Sequence, residues 1–192
     1  MKNSVIFNTE QVSALQNGTL GAFVCKIKMQ PIIDSESGFV FEGNHKKQYK
    51  NDIHHEDWRV RLCADFAPYQ VGQKVYVREK WAEMYDTCDH PELPDNPQER
   101  WGMGYYYGTD KVERKDNMLF VNGEWIMCFV KEGSPANMPK EAARHWLEIT
   151  GVECVMVNDV PEHHDKVKHL GNTAISENHY VFLVTFKKID NG

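Results

Sequence analysis

The sequence predicts an α+β fold, a small mixed β-barrel interrupted by two or three short helices. Three observations carry this expectation. Strand-like alternation recurs along the chain, for instance at Val75 and Val77 and again at Leu147, Ile149, Val152 and Val155,. The pair Asn122-Gly123 sits between Phe120-Val121 and Glu124-Trp125 and offers both positive-φ positions of a type I′ hairpin turn. The last segment, residues 181–189, is apolar on both faces, which suits an interior strand and not a sheet edge. Strands outnumber helices and do not alternate with them, so a barrel is expected over a doubly wound sheet.

The elements follow in order. Val5 and Ile6 open a strand, and Asn8 then precedes a helical stretch. Asn8 as N-cap with Gln11 at the third helical position makes a capping box, Phe7 with Val12 makes a hydrophobic staple, and Gly18 supplies the left-handed terminator. Residues 20–29 alternate as a strand closed by Pro31, whereas 34–57 are polar and glycine-containing and read as a loop or short hairpin inserted at the surface,. Residues 60–66 are apolar enough for another strand, Gly72 marks a turn, and Val75 and Val77 belong to the next strand. Pro91, Pro94 and Pro97 lie among acids in 86–100, which predicts a second surface insertion. Tyr105 to Tyr107 should pair as a strand ahead of the hairpin. Pro139 then opens a short helix reaching Arg144, Gly151 places a bulge in the long strand after it, and Pro161 begins a further helix ending near Gly171,. The expected core includes Val75, Val77, Leu147, Ile149, Val184 and Phe186.

At 192 residues, with 41% hydrophobic and 26% charged residues, the chain suits one domain spanning 1–192 with its two insertions. No apolar run nears the roughly 20 residues of a membrane helix, and residues 1–10 lack the apolar core of a signal peptide. A cytoplasmic protein with no membrane association is expected. The five cysteines are scattered without a Cys-x-x-Cys pair, so they read as reduced thiols. A net charge of −6 disfavours coating of nucleic acid by bulk attraction but leaves room for a local basic patch. Nine histidines include His54-His55, Cys88-x-His90 and His163-His164. None has the paired spacing of a closed zinc site, so no metal or other cofactor is expected.

The residues that invite a function are Arg78, Glu79, Lys80 and Trp81, which load the end of the Val75–Val77 strand. Strand ends often carry charge because they meet water, and Trp81 can simply cap a core. Four segments taken in order point further: Phe7-Asn8 with Val12, Ala14, Leu15 and Gly18; Val71-Gly72 through Val75-Tyr76-Val77-Arg78-Glu79-x-Trp81-Ala82-Glu83; Met138-Pro139 through Ala142, Arg144, Leu147-Glu148-Ile149 and Val152; and Val181-Phe182 through Val184, Phe186-Lys187 and Ile189. Together they resemble the ASCH family of PUA-like domains, in the form often encoded by bacteriophages. The resemblance implies a PUA-like barrel of five or six strands with a cleft for RNA or a nucleobase. There Trp81 would stack on a base, Glu79 would accept from an exocyclic amine and Arg144 would contact a phosphate or base edge. Glu79 with Arg144 can equally form an internal ion pair that orders the barrel.

The chain departs from that family where some members carry a nucleoside amidohydrolase site. The Lys, Thr and Arg expected after the helix-ending glycine are here Leu20, Phe23 and Cys25, and the partner acid falls near Lys168. Leu20 cannot serve as a base and Phe23 has no hydroxyl. The expectation is therefore a non-catalytic module that binds RNA, or a modified nucleotide, through Arg78, Glu79, Lys80, Trp81 and Arg144. Two rivals stand beside it. One is an amidohydrolase or ribonuclease using Glu79 with Lys80 or Arg144; the other is a phage factor that blocks a host enzyme through the acidic 86–100 segment.

Overall fold

A computed structural model describes residues 2–28, 30–34, 39–42, 47–49, 57–86, 102–110, 112–115, 118–121, 124–160 and 177–190. The fold is mixed α+β, mostly strands with two α-helices. Strands β1 (Ser4–Ile6), β2 (Ala22–Lys26), β6 (Lys74–Arg78), β12 (Trp146–Met156) and β13 (Tyr180–Ile189) form the main sheet in the order β1-β6-β12-β13-β2. Only β1 and β6 run parallel; every other pairing in this sheet is antiparallel. Strands β7 (Trp81–Asp86), β8 (Gly102–Tyr107), β9 (Glu113–Lys115), β10 (Met118–Val121) and β11 (Glu124–Gly133) make an antiparallel sheet ordered β8-β7-β11-β10-β9. A third sheet holds β3 (Pro31–Asp34), β4 (Phe39–Glu42) and β5 (Lys47–Tyr49). No helix among the described residues is long and apolar enough to cross a membrane.

Local chemistry explains why the first helix starts and stops where it does. Helix α1 (Thr9–Gln16) begins at Asn8, whose side chain accepts from the Gln11 amide at 2.8 Å while the Gln11 side chain accepts from the Asn8 amide at 3.0 Å. It ends in paired bonds from Gly18 to Leu15 and from Thr19 to Ala14, with Gly18 at φ +73°. That is the Schellman arrangement, which glycine adopts without steric cost. Phe7 and Val12 are both buried in the main core.

The main sheet is covered on both faces, which is why consecutive residues are buried in the middle of β6, at Val75, Tyr76 and Val77, and in the first half of β13, from Tyr180 to Val184. Val75, Val77, Leu147, Ile149, Val184 and Phe186 are buried in the largest cluster, as expected. Tyr76 points the other way into a cluster with Met138, Ala142 and Ala143, and Val181 and Leu183 join Val157 and Val160. The bulge expected at Gly151 appears as a register shift between Ile149 and Gly151 in the β12–β13 ladder. Val121 pairs with Glu124, so a two-residue connection joins β10 and β11 as expected.

Several expectations are corrected. No closed barrel of five or six strands forms among the described residues; two five-stranded sheets and a three-stranded one do. Among the described residues the edges β1 and β2 share no ladder; Phe7, Phe23 and Tyr69 pack in the main core, with Phe7–Phe23 centroids at 5.7 Å and Phe23–Tyr69 at 5.4 Å. Residues 60–66 belong to a helix, α2 (Asp57–Phe66), and not to a strand. Trp58 and Leu62 are buried and Phe66 packs on the same core, a four-residue repeat, while Val60 is 67% exposed. Of the two readings of 34–57, loop or short hairpin, the hairpin is the one found: β4 and β5 pair antiparallel, and β3 adds to them in the third sheet. The helix expected from Pro139 is a single 3₁₀ turn at Lys140–Ala142. The 86–100 loop beyond Asp86, the helix after Pro161 and the histidines at 54, 55, 90, 163 and 164 lie outside the described residues.

Candidate functional site

Arg78 ends β6 and Trp81 begins β7, so Glu79 and Lys80 are the whole connection between β6 of the main sheet and β7 of the second sheet. This explains why a strand should finish in four such residues. The chain must leave one ladder and enter another within two residues, and side-chain bonds hold the crossing where backbone ladders cannot. The Lys80 carbonyl accepts from the Gly108 amide at 2.8 Å, which ties the crossing to the turn after β8.

Glu79 is only 1% exposed and is met by Arg144 in a two-pronged contact, Nε to Oε1 at 3.0 Å and Nη2 to Oε2 at 2.8 Å. Arg144 also donates from Nη1 to Asp110 Oδ1 at 2.8 Å and from Nη2 to the Thr109 hydroxyl, and its guanidinium lies 3.9 Å from the centroid of the Tyr107 ring. Burial works against the charge of Arg144, but its hydrogen bonds to Glu79 and Asp110 outweigh that and raise its pKa above the ordinary arginine value. Burial likewise raises the Tyr107 phenol, whose hydroxyl donates to the Ala142 carbonyl at 2.6 Å. A carboxylate this deeply buried needs a fixed cation, and this bidentate fork supplies one.

Trp81 is half-buried, stands edge-on to Tyr105 at 5.7 Å and donates from its indole N–H to the Ser134 carbonyl at 3.0 Å. Its ring lies directly over Gly133, where any side chain would overlap it. Beside this cluster His145 is buried, with Nε2 3.3 Å from the Gln16 amide nitrogen and 4.0 Å from Glu79, and its Nδ1 has no partner. Burial, then the nearby Arg144, lowers its pKa to about 4, so the ring is neutral at ordinary pH.

Arg78 faces elsewhere. Its Nε and Nη2 both donate to the Ser4 hydroxyl, at 2.9 and 2.8 Å, and Nη1 donates to the Ala136 carbonyl. None of these acceptors carries a charge. The guanidinium lines a groove of about 540 Å³ between the two edge strands of the main sheet, with Lys2, Asn3, Asn8 and Gln11 on the β1 side and Phe23, Val24 and Cys25 on the β2 side. Among the described residues no aspartate or glutamate lines it. A second cleft of about 640 Å³, beside Trp146, instead mixes Lys74 and Lys140 with Glu141, Glu148 and Asp190.

The structure thus brings Glu79, Trp81 and Arg144 together at the junction of the sheets and turns Arg78 toward the groove. Lys80 is exposed. Leu20, Phe23 and Cys25 gather around the main core: Phe23 is 4% exposed, Leu20 packs against the same cluster, and burial pushes the Cys25 thiol up to about 11 despite Lys2 nearby. Sequence reading missed Ser4, Lys2, Thr109 and Asp110. Asp110 carried one signal, because an acid three residues after Tyr107, following Gly108-Thr109, suits a turn, and it accepts from the Tyr107 amide at 2.8 Å,. Comparison of the chain with protein-family models, with curated proteins and with solved structures finds no match.

Proposed function

We propose that this chain is a PUA-like module of the ASCH type that binds RNA or a modified nucleotide without turning it over. The observation that carries this reading is the groove between β1 and β2. In a protein of net charge −6, it presents the cations Lys2 and Arg78 and, among the described residues, no carboxylate. Concentrating one sign of charge in a low-dielectric cleft raises the local concentration of an anionic ligand even when the whole molecule repels it. Amide side chains at Asn3, Asn8 and Gln11 border the same space and suit sugar hydroxyls and base edges. In this reading Arg78 touches the ligand, Lys80 extends the positive surface, and Glu79, Trp81 and Arg144 hold the crossing that positions Arg78.

The non-catalytic part rests on the chemistry of the groove wall. A thiol with a pKa near 11 is protonated at neutral pH and is a poor nucleophile, and Phe23 and Leu20 offer no proton-transferring group. Glu79 has both oxygens engaged by Arg144. The test is binding of a fluorescent single-stranded RNA by anisotropy, alongside the absorbance ratio of the purified protein at 260 and 280 nm. Binding that Arg78→Gln weakens, with acylated cytidine left intact by the unaltered protein, supports the reading. Turnover of that nucleoside, or no RNA or nucleotide binding at all, overturns it.

A further inference from the structure

The charge inventory of the groove says more than that it is positive. Arginine has five N–H donors, and Arg78 spends three of them on the Ser4 hydroxyl and the Ala136 carbonyl. Two donors remain on a half-buried guanidinium that meets no carboxylate among the described residues, in contrast to Arg144, which meets two. Ser4 is itself buried, so its double contact fixes the plane of the Arg78 fork and leaves the free donors pre-oriented. Lys2, exposed and with no ion-pair partner among the described residues, supplies the second charge on the same groove.

From this geometry we infer, resting on the nucleotide-binding reading above, that the groove holds one terminal phosphate monoester between Lys2 and the free edge of Arg78. Two cations match one dianion. An internal stretch of RNA, with one charge per phosphodiester, calls for a track of cations along the backbone, and this groove lines up one pair. Its volume of about 540 Å³ also lies within the roughly 300–1,000 Å³ typical of small-ligand sites. A phosphate monoester carries its second charge only above a pKa of about 6. Binding therefore has a pH signature that a phosphodiester lacks.

The experiment compares a fluorescent RNA bearing a 5′-phosphate with the same RNA bearing a 5′-hydroxyl, using nucleoside 5′-monophosphate as competitor. The phosphorylated RNA is expected to bind at least roughly tenfold more tightly, the scale of a charge-assisted contact. That preference should shrink below about pH 6. Lys2→Gln, which removes no internal partner, should abolish the preference in folded protein; Arg78→Lys should reduce it by removing the fork; Lys74→Gln, in the other cleft, should leave it intact. Competition by the free monophosphate at similar concentration assigns the ligand as a nucleotide, whereas failure to compete assigns it as an RNA end. Equal binding of the two RNAs overturns the monoester site and leaves the RNA-binding reading standing. Binding of neither RNA nor nucleotide overturns both.

Discussion

Arg144 holds Glu79 through two parallel hydrogen bonds, 3.0 Å from Nε and 2.8 Å from Nη2, and so locks the turn after β8 and the segment before β12 onto the two-residue crossing between the sheets. The pair lies 65 residues apart in sequence. Removing Arg144 leaves Glu79 as an uncompensated, buried charge, whereas Arg144 without Glu79 still meets Asp110.

Breaking the pair should therefore cost more than the pair contributes. Arg144→Ala is expected to destabilise by about 3–5 kcal/mol, read as a lower urea midpoint. The neutral isostere Glu79→Gln, which strands the guanidinium only partly because Asp110 remains, should cost less. Equal and small losses for both would show that the crossing is held by something else.

Gly133 lies beneath the Trp81 indole with no room for a Cβ. Gly133→Ala should destabilise by about 1–3 kcal/mol through overpacking and should shift the tryptophan fluorescence as the ring is displaced. Gly21→Ala, where a Cβ meets nothing within 4 Å, is the matched control and should change stability little. A neutral Gly133→Ala would mean the ring moves aside freely.

His145 predicts a stability change in mild acid. Its folded pKa of about 4 lies below the unfolded value near 6.5. Between these values the unfolded chain binds the extra proton, so stability falls as pH drops from about 6.5 to about 4 and this contribution levels off below that. The loss should be on the order of 2–3 kcal/mol. His145→Gln should flatten that window relative to the unaltered protein. Parallel stability–pH curves for the two proteins would remove His145 from the account.

Leu147 is fully buried and Phe186 nearly so, on adjacent strands of the main sheet. Truncating either to Ala should cost about 2–5 kcal/mol through lost transfer energy and the cavity left behind. Losses below about 1 kcal/mol at both sites would contradict the register described.

What the sequence determined by itself was the local grammar. The Asn8–Gln11 capping box, the left-handed Gly18, the two-residue β10–β11 connection, the Gly151 bulge and the buried face of β6 each depend on contacts within a few residues or on a strict two-residue period, and so they were legible. Tertiary structure decided the remainder. Residues 60–66 are apolar enough for either a strand or a helix, and the packing of Trp58, Leu62 and Phe66 on the core chose the helix. Closure was not legible either: among the described residues β1 and β2 share no ladder, and the core contacts of Phe7, Phe23 and Tyr69 join residues 16 and 46 positions apart. Arg78, Glu79 and Trp81 stood out in the sequence, yet their division of labour did not. Arg78 reaches Ser4, 74 residues away, and Glu79 reaches Arg144, and no local pattern encodes which cation a long-range fold will neutralise and which it will leave facing a groove.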